Sequence, residues 1–379
     1  MQIQFNYRYL KDEVEYETHQ YNFTNSIDQC LAYQLQDVGM VVDFAETKQK
    51  MGYYVAFYLS YEAATYFNPE MATVSISEPN LFAAAYIFET EGIIPQQPDE
   101  DYSQRCNFQF QLSHATMMDH IKSVQQAITE GNTYQVNYTT RLTDDIHYPI
   151  TTLFQVLQRG NNGFYSALID TPELKVASIS PELFFQRGPF KGDKDVIVSK
   201  PMKGTIARGE TDLEDRRNLE TLRQSAKDKA ENVMIVDLLR NDIGRIAQSG
   251  TVHVYQLFNI EAYTTVYQMT TMVTGKVNTT MSLTNILTAL FPCGSITGAP
   301  KLNTMKYIKA LEQTPRHIYC GSIGLLLPNG KSIFNVPIRT IQYINDKAIY
   351  GVGAGITIDS NPELEIQEFN DKTQILERL

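Results

Sequence analysis

An α+β fold built on antiparallel sheets is predicted by three features of this 379-residue sequence. Strand-like and helix-like stretches do not alternate strictly, which disfavours a doubly wound parallel sheet. The composition, 43% hydrophobic and 20% charged, is that of an ordinary globular chain long enough to bury a sizeable core. No internal repeat or low-complexity tract points to a solenoid or a disordered chain.

Taken in order, residues 53–59 and 80–88 read as short strands in a turn-rich N-terminal part. The acidic run 96–101 reads as a solvated loop and soft boundary, dividing the chain into 1–110 and 111–379. Ser113 precedes an amphipathic stretch, 117–129, that stops at Gly131-Asn132, the pattern of a capped helix. Strands follow at 133–141, 164–168, 175–179, 183–187 and 195–200. Residues 211–240 read as two helices, because Ser225 can cap the second. Further strands are expected at 251–258, 268–276, 322–327, 332–343 and 348–352, with a helix entered near Pro300. A closing helix starts at Pro362, a favoured first-turn residue, after the candidate caps Ser360 and Asn361.

The net charge of −11 argues against a nucleic-acid or anionic-membrane surface, which needs clustered Lys and Arg, but leaves room for a small anion in a local pocket. Cys30, Cys106, Cys293 and Cys320 are scattered without a CxxC, so reduced cysteines in a cytoplasmic protein are expected. Arg8, Lys11, Asp12, Glu13 and Glu15 stand where a signal peptide needs an apolar stretch, and no run approaches the roughly 18 apolar residues of a membrane helix. His19, His114, His120, His147, His253 and His317 form no HExxH or HxH pair, which disfavours a local zinc site.

Asp228 with Glu231, and Glu365 with Glu368, are acids three apart on expected helices, so each pair shares a helix face. Paired carboxylates suit Mg²⁺, which takes oxygen ligands; equally, Asp228 suits a capping box with Ser225, and Glu365 and Glu368 suit the positive end of a helix. Gly351, Gly353 and Gly355 end a strand and suit either an anion cradle or a tight turn, since glycine lets backbone N–H groups approach closely. The segment 292–301, which includes Thr297, offers several donors before a helix, or serves only as a helix entry. Lys203 sits in an apolar-then-glycine setting where a crowded amine becomes a nucleophile, although most lysines are solvated charges. Glu182 is a possible general acid or a strand-end carboxylate. Arg339, among apolar neighbours, needs an anionic partner, either a protein carboxylate or that of a ligand.

From Ser113 to Leu379 these signals fall in one order, and the chain resembles the chorismate-utilising enzymes: anthranilate and aminodeoxychorismate synthase components I, and the isochorismate and salicylate synthases. The resemblance rests on Gly131-Asn132-Thr133-Tyr134-Gln135-Val136-Asn137, Ser180-Pro181-Glu182, Pro201-Met202-Lys203-Gly204-Thr205, Ala230-Glu231-Asn232 with the apolar run to Arg240-Asn241-Asp242, Gly294-Ser295-Ile296-Thr297-Gly298-Ala299-Pro300-Lys301, Ile338-Arg339-Thr340 and Gly353-Ala354-Gly355. Leu59-Ser60-Tyr61-Glu62-Ala63-Ala64 is similar to the N-terminal region of amidotransferase-linked members. The fold implied is a single large chorismate-binding unit with two antiparallel β-sheets packed together and flanked by helices, 1–110 being its N-terminal region and 111–379 its catalytic region.

The resemblance further implies that Glu231 and Glu368 hold Mg²⁺, with Asp228 and Glu365 behind them or acting through water, and that the metal grips the ring carboxylate of chorismate. Arg339, Thr297 and the amides of Gly353, Ala354 and Gly355 would bind its carboxylates, with Gln268 and Tyr319 also lining the substrate. Gln135 stands where isochorismate and salicylate synthases place a water-activating lysine, and Lys203 where anthranilate synthases usually carry alanine. A lysine there marks the aminodeoxychorismate synthase branch, in which it adds to C2 of chorismate as the C4 hydroxyl leaves with a proton from the residue matching Glu182. Gln268 replaces a histidine of many relatives and cannot carry a proton. The chain stops just past its last helix, without a fused lyase or a Cys-His-Glu glutaminase module, so ammonia is expected from solution or from a separate glutamine amidotransferase subunit. The implied activity is amination of chorismate at C4 for para-aminobenzoate and folate synthesis. Anthranilate synthesis and a catalytically silent chorismate-binding protein are the alternatives.

Overall fold

The computed structural model describes residues 1–76, 81–91, 106–146, 148–159, 163–263 and 266–379; the acidic run 96–101 and His147 lie outside the described residues. Two antiparallel sheets organise the chain, as expected of the α+β class. The first runs Gly298–Ala299, Gln135–Asp144, Lys347–Ile356, Thr340–Ile344, Lys175–Ser180, Tyr165–Asp170, Gln2–Leu10, Tyr16–Phe23. The second runs Met202–Ala207, Val266–Lys276, Asp193–Lys200, Leu183–Phe190, Ser332–Asn335, Ser322–Leu326, Tyr54–Leu59, Ala83–Phe88, Asp28–Ala32. The N-terminal strands thus extend both sheets.

Period-two patterning decides which way each strand faces. In Gln2–Leu10 the side chains of Ile3, Phe5, Tyr7 and Tyr9 are buried, and they meet Tyr58, Tyr86, Tyr165, Val176, Val198, Ile323 and Leu325 between the sheets. Burying a large apolar side chain contributes about 2 kcal/mol, so Tyr and Phe suffice for this interface in a chain without Trp. The outer face of the first sheet lies under His114–Thr129, Ile150–Gln158 and Pro362–Thr373, and that of the second under Val38–Lys50, Ala226–Gly244 and Leu283–Leu290. The caps behave as the sequence suggests at Ser113 and Ser225, whose hydroxyls accept from the amides of Thr116 and Asp228. At the closing helix Asn361 is the cap, while Ser360 donates to Glu365.

The feature that matters for the site is a pair of adjacent crossings between the sheets. Lys175–Ser180 lies in the first sheet and Leu183–Phe190 in the second, joined by Pro181-Glu182. Ser332–Asn335 lies in the second and Thr340–Ile344 in the first, joined by 336–339. The pattern over 332–343 suggests one strand, but the structure breaks it in two. Pro337 has no amide to pair, and Arg339 adopts a left-handed φ of 52°. The crossings are bonded to each other: the Val336 amide donates to the Glu182 carbonyl at 3.1 Å, and the Ser180 hydroxyl to the Val336 carbonyl at 2.6 Å. All four cysteines are free, and among the described residues no helix is long and apolar enough to cross a membrane.

Candidate active site

Glu182 and Arg339 both sit on the crossings, so backbone bonding between two sheets fixes the main chain around each. Glu182 is 3% exposed, and Ser295 donates to its Oε1 at 2.6 Å. Burial pushes its carboxyl up to about 7, with the Ser295 hydroxyl and the charges of Lys203 and Lys372 opposing the rise. A carboxyl so placed can hold a proton at neutral pH and still release it. Arg339 has no ion-pair partner among the described residues, and burial holds its guanidinium below its ordinary range despite the nearby Tyr350 and Tyr263. A half-buried guanidinium without a carboxylate is the electrostatic signature of an anion site.

Lys203 lies at an irregularity in the pairing of Met202–Ala207 with Val266–Lys276. The next residue, Gly204, has φ 92°, and a Cβ there would stand 2.9 Å from the Cβ of Asp228. Glycine therefore lets this strand lie against the start of the Ala226–Gly244 helix. The charge of Lys203 acts on Glu182, Glu231 and Glu368. Its Nζ is 3.1 Å from where a Cβ on Gly355 would stand, and Gln135 Nε2 is 2.1 Å from the same point. Gly355 thus makes the room in which the amine and the Gln135 amide meet.

Gly353 and Gly355 face one side of their strand, and the Ala354 side chain points the other way into the core under the closing helix. Beyond Tyr350 this strand keeps Gln135–Asp144 as its partner but has outrun Thr340–Ile344. Its free edge is polar: the Gly353 carbonyl accepts from Lys372 Nζ at 2.7 Å. Tyr319 lies flat on Gly351, whose Cβ would fall 2.3 Å from the ring. Gln268 donates to Thr205 Oγ1 at 3.3 Å, and its Oε1, like that of Gln135, is buried without a partner among the described residues. Those two orphaned acceptors suit a polar ligand. Thr297 has both donors engaged within its turn, the hydroxyl to the Cys293 carbonyl at 3.1 Å and the amide to the Gly294 carbonyl at 3.2 Å.

The acidic pairs converge from two helices. Lys227 Nζ stands between them, 3.9 Å from Glu231 Oε1 and 3.6 Å from Glu365 Oε1. Glu368 is turned to Lys372 at 2.6 Å, and among the described residues no three ligands surround one point. Burial raises the Glu231 and Glu365 carboxyls. Glu368 also meets a burial penalty, but Lys372, Lys203 and Lys227 together hold it low. The donors are all carboxylate oxygens, as hard cations require, and Lys227 shows that the cluster holds positive charge. The residues fit Mg²⁺ when Glu368 and a further oxygen donor turn toward it.

Lys227, Lys372 and Ser295 were not singled out from sequence. Each lysine is four residues from an acid of a flagged pair, which reads as a solvated i,i+4 contact.

A family model described as chorismate binding enzyme matches residues 73–378. The chain is 36% identical over 283 residues to an aminodeoxychorismate synthase component 1 of Escherichia coli, covering 74% of this chain and 61% of that protein. It is 37% identical over 283 residues to an anthranilate synthase component 1 of Haloarcula marismortui, covering 74% of this chain and 56% of that protein. The chain therefore spans less than two thirds of the length of each relative. An anthranilate synthase component I structure from Streptococcus pneumoniae superposes with a TM-score of 0.77 at 20% identity, over 99% of this chain and 90% of that one.

Proposed function

The chain belongs to the chorismate-binding enzyme family, and from that premise we propose that it converts chorismate and ammonia to 4-amino-4-deoxychorismate, as the component I of an aminodeoxychorismate synthase. It would serve para-aminobenzoate and folate synthesis in the cytoplasm, with ammonia released from glutamine by a separate amidotransferase subunit. Residues 111–379 would carry the catalytic groups and 1–110 complete the two sheets.

The observation that carries this proposal is the place of Lys203, with Nζ against Gly355 and its charge acting on Glu182, Glu231 and Glu368. Arg339, Lys372 and the open edge at Gly353 to Gly355 hold the substrate carboxylates, with Thr297, Gln268 and Tyr319 around the ring. Lys203 first passes its proton to solvent; Glu182 then gives its proton to the C4 hydroxyl, which departs as water while the Lys203 amine bonds to C2 and both ring double bonds shift. Ammonia then bonds to C4, both double bonds return, the C2–N bond breaks to release the Lys203 amine, and the ammonium formed at C4 gives a proton back to Glu182. Mg²⁺, held by Glu231 and Glu368 with Asp228 and Glu365 close by, would neutralise the carboxylates and grip the ring carboxylate.

A second proposal is favoured by the Haloarcula relative's name, anthranilate synthase component 1; Lys203 argues against it because it occupies C2, where anthranilate carries its nitrogen. Incubation with chorismate, Mg²⁺ and ammonium, followed by product analysis, separates the two. The expected product is 4-amino-4-deoxychorismate, with glutamine inactive as donor until an amidotransferase is added. Anthranilate alone would establish the alternative, and chorismate binding without turnover would indicate a silent binder.

A further inference from the structure

The turn Gly294–Ile296 presents one side chain to the acid. Ser295 is 4% exposed, its hydroxyl is 2.6 Å from Glu182 Oε1, and Cys293 Sγ is 3.2 Å from the same hydroxyl. A serine hydroxyl has one proton. Ser295 donates its one proton to Glu182 Oε1, which leaves the Cys293 thiol as the donor to Ser295 Oγ. Burial pushes the thiol up to about 12, so it remains a donor at working pH.

We propose that Ser295 is the positioning residue for the acid: by donating to Oε1 it keeps that oxygen an acceptor and directs the transferable proton to the other oxygen of Glu182. This rests on the proposed acid role of Glu182. The groups facing Glu182 from the packed elements are Lys203, Lys372, the Met202 amide, Ser295 and, more remotely, Cys293. The two lysines act through charge without fixing which oxygen is protonated. Ser295 alone among them offers a hydroxyl at bonding distance.

Donation to a carboxylate favours its ionised form. Removing the hydroxyl in Ser295→Ala should therefore move the alkaline limb of kcat/KM, at fixed free ammonia, upward by about one pH unit. It should also lower kcat about tenfold through lost orientation while leaving KM for chorismate within about twofold. Ser295→Thr, which keeps the hydroxyl, should restore the limb. Ser295→Cys, a weaker donor of similar size, should raise it and keeps the test open if the alanine variant does not fold. The direct readout is isotope-edited infrared titration of the Glu182 carboxyl in the free protein, which needs no turnover. A midpoint that rises in the Ala or Cys variant supports the proposal; one unmoved in the variant that folds overturns it. Full activity in Glu182→Gln would instead defeat the acid role itself.

Discussion

The two halves of the candidate site are held by different forces. Glu182 and Arg339 are anchored by main-chain bonds between adjacent crossings, such as Val336 to Glu182 and Ile179 to Arg339, each 3.1 Å. Glu231 and Glu368 are held by lysine side chains, and Lys227 and Glu368 remain 54% and 47% exposed, while Glu365 is buried and accepts from Ser360. Ion pairs this exposed contribute only about 0–1 kcal/mol each, so the acids can turn from Lys227 and Lys372 to another cation at little cost. The proton-transfer half is thus built into the fold, and the cation half is set by charge and adjustable.

The largest effect should come from the group between the halves. Lys203→Ala is expected to lose the 4-amino product by about 10³-fold or more. If the pocket admits ammonia at C2, a trace of the 2-amino product should appear, and product analysis reads both. In the rigid half, Glu182→Gln should cost about 10²–10⁴-fold. With the acid raised to about 7, wild-type rate at fixed free ammonia should fall as pH rises through that value, and this limb should vanish in the variant. In the adjustable half, Glu231→Gln and Glu368→Gln should each raise the half-saturating Mg²⁺ concentration on the order of 10–100-fold, with little change in thermal stability. Wild-type Mg²⁺ dependence in both would remove the metal assignment. Gly355→Ala should reduce kcat about tenfold, because its Cβ would meet Gln135 Nε2 and Lys203 Nζ.

The smallest effect is on stability. A carboxyl raised in the folded state contributes stability that is fully present below its unfolded value near 4.5 and lost as pH rises through about 7. The unfolding midpoint of wild type should therefore fall between pH 6 and 8. The fall should be about 1–2 °C smaller in Glu182→Gln, and an equal fall in both would show that Glu182 is not buried as described.

The sequence carried much of this architecture where one physical rule was locally sufficient. Ser113 and Ser225 cap helices whose donors lie three residues on, and Lys203 and Glu182, each in a short motif, lie close enough for the charge of one to act on the other. The break in 332–343 was not legible, because apolar alternation continues while the chain changes sheets. The helices Ile150–Gln158 and Leu283–Leu290 escaped because they are only 9 and 8 residues long, too short for a helical period to be told from a buried strand. Ser295 was invisible as a partner of Glu182 because 113 residues separate them.

The account turns on a covalent bond from Lys203 to C2. Mass spectrometry of the protein incubated with chorismate and Mg²⁺ but no ammonia, with peptide mapping, should find an increment of chorismate less water on Lys203, discharged by ammonium to the 4-amino product. No adduct, together with a Lys203→Arg variant that still makes the 4-amino product, would contradict it.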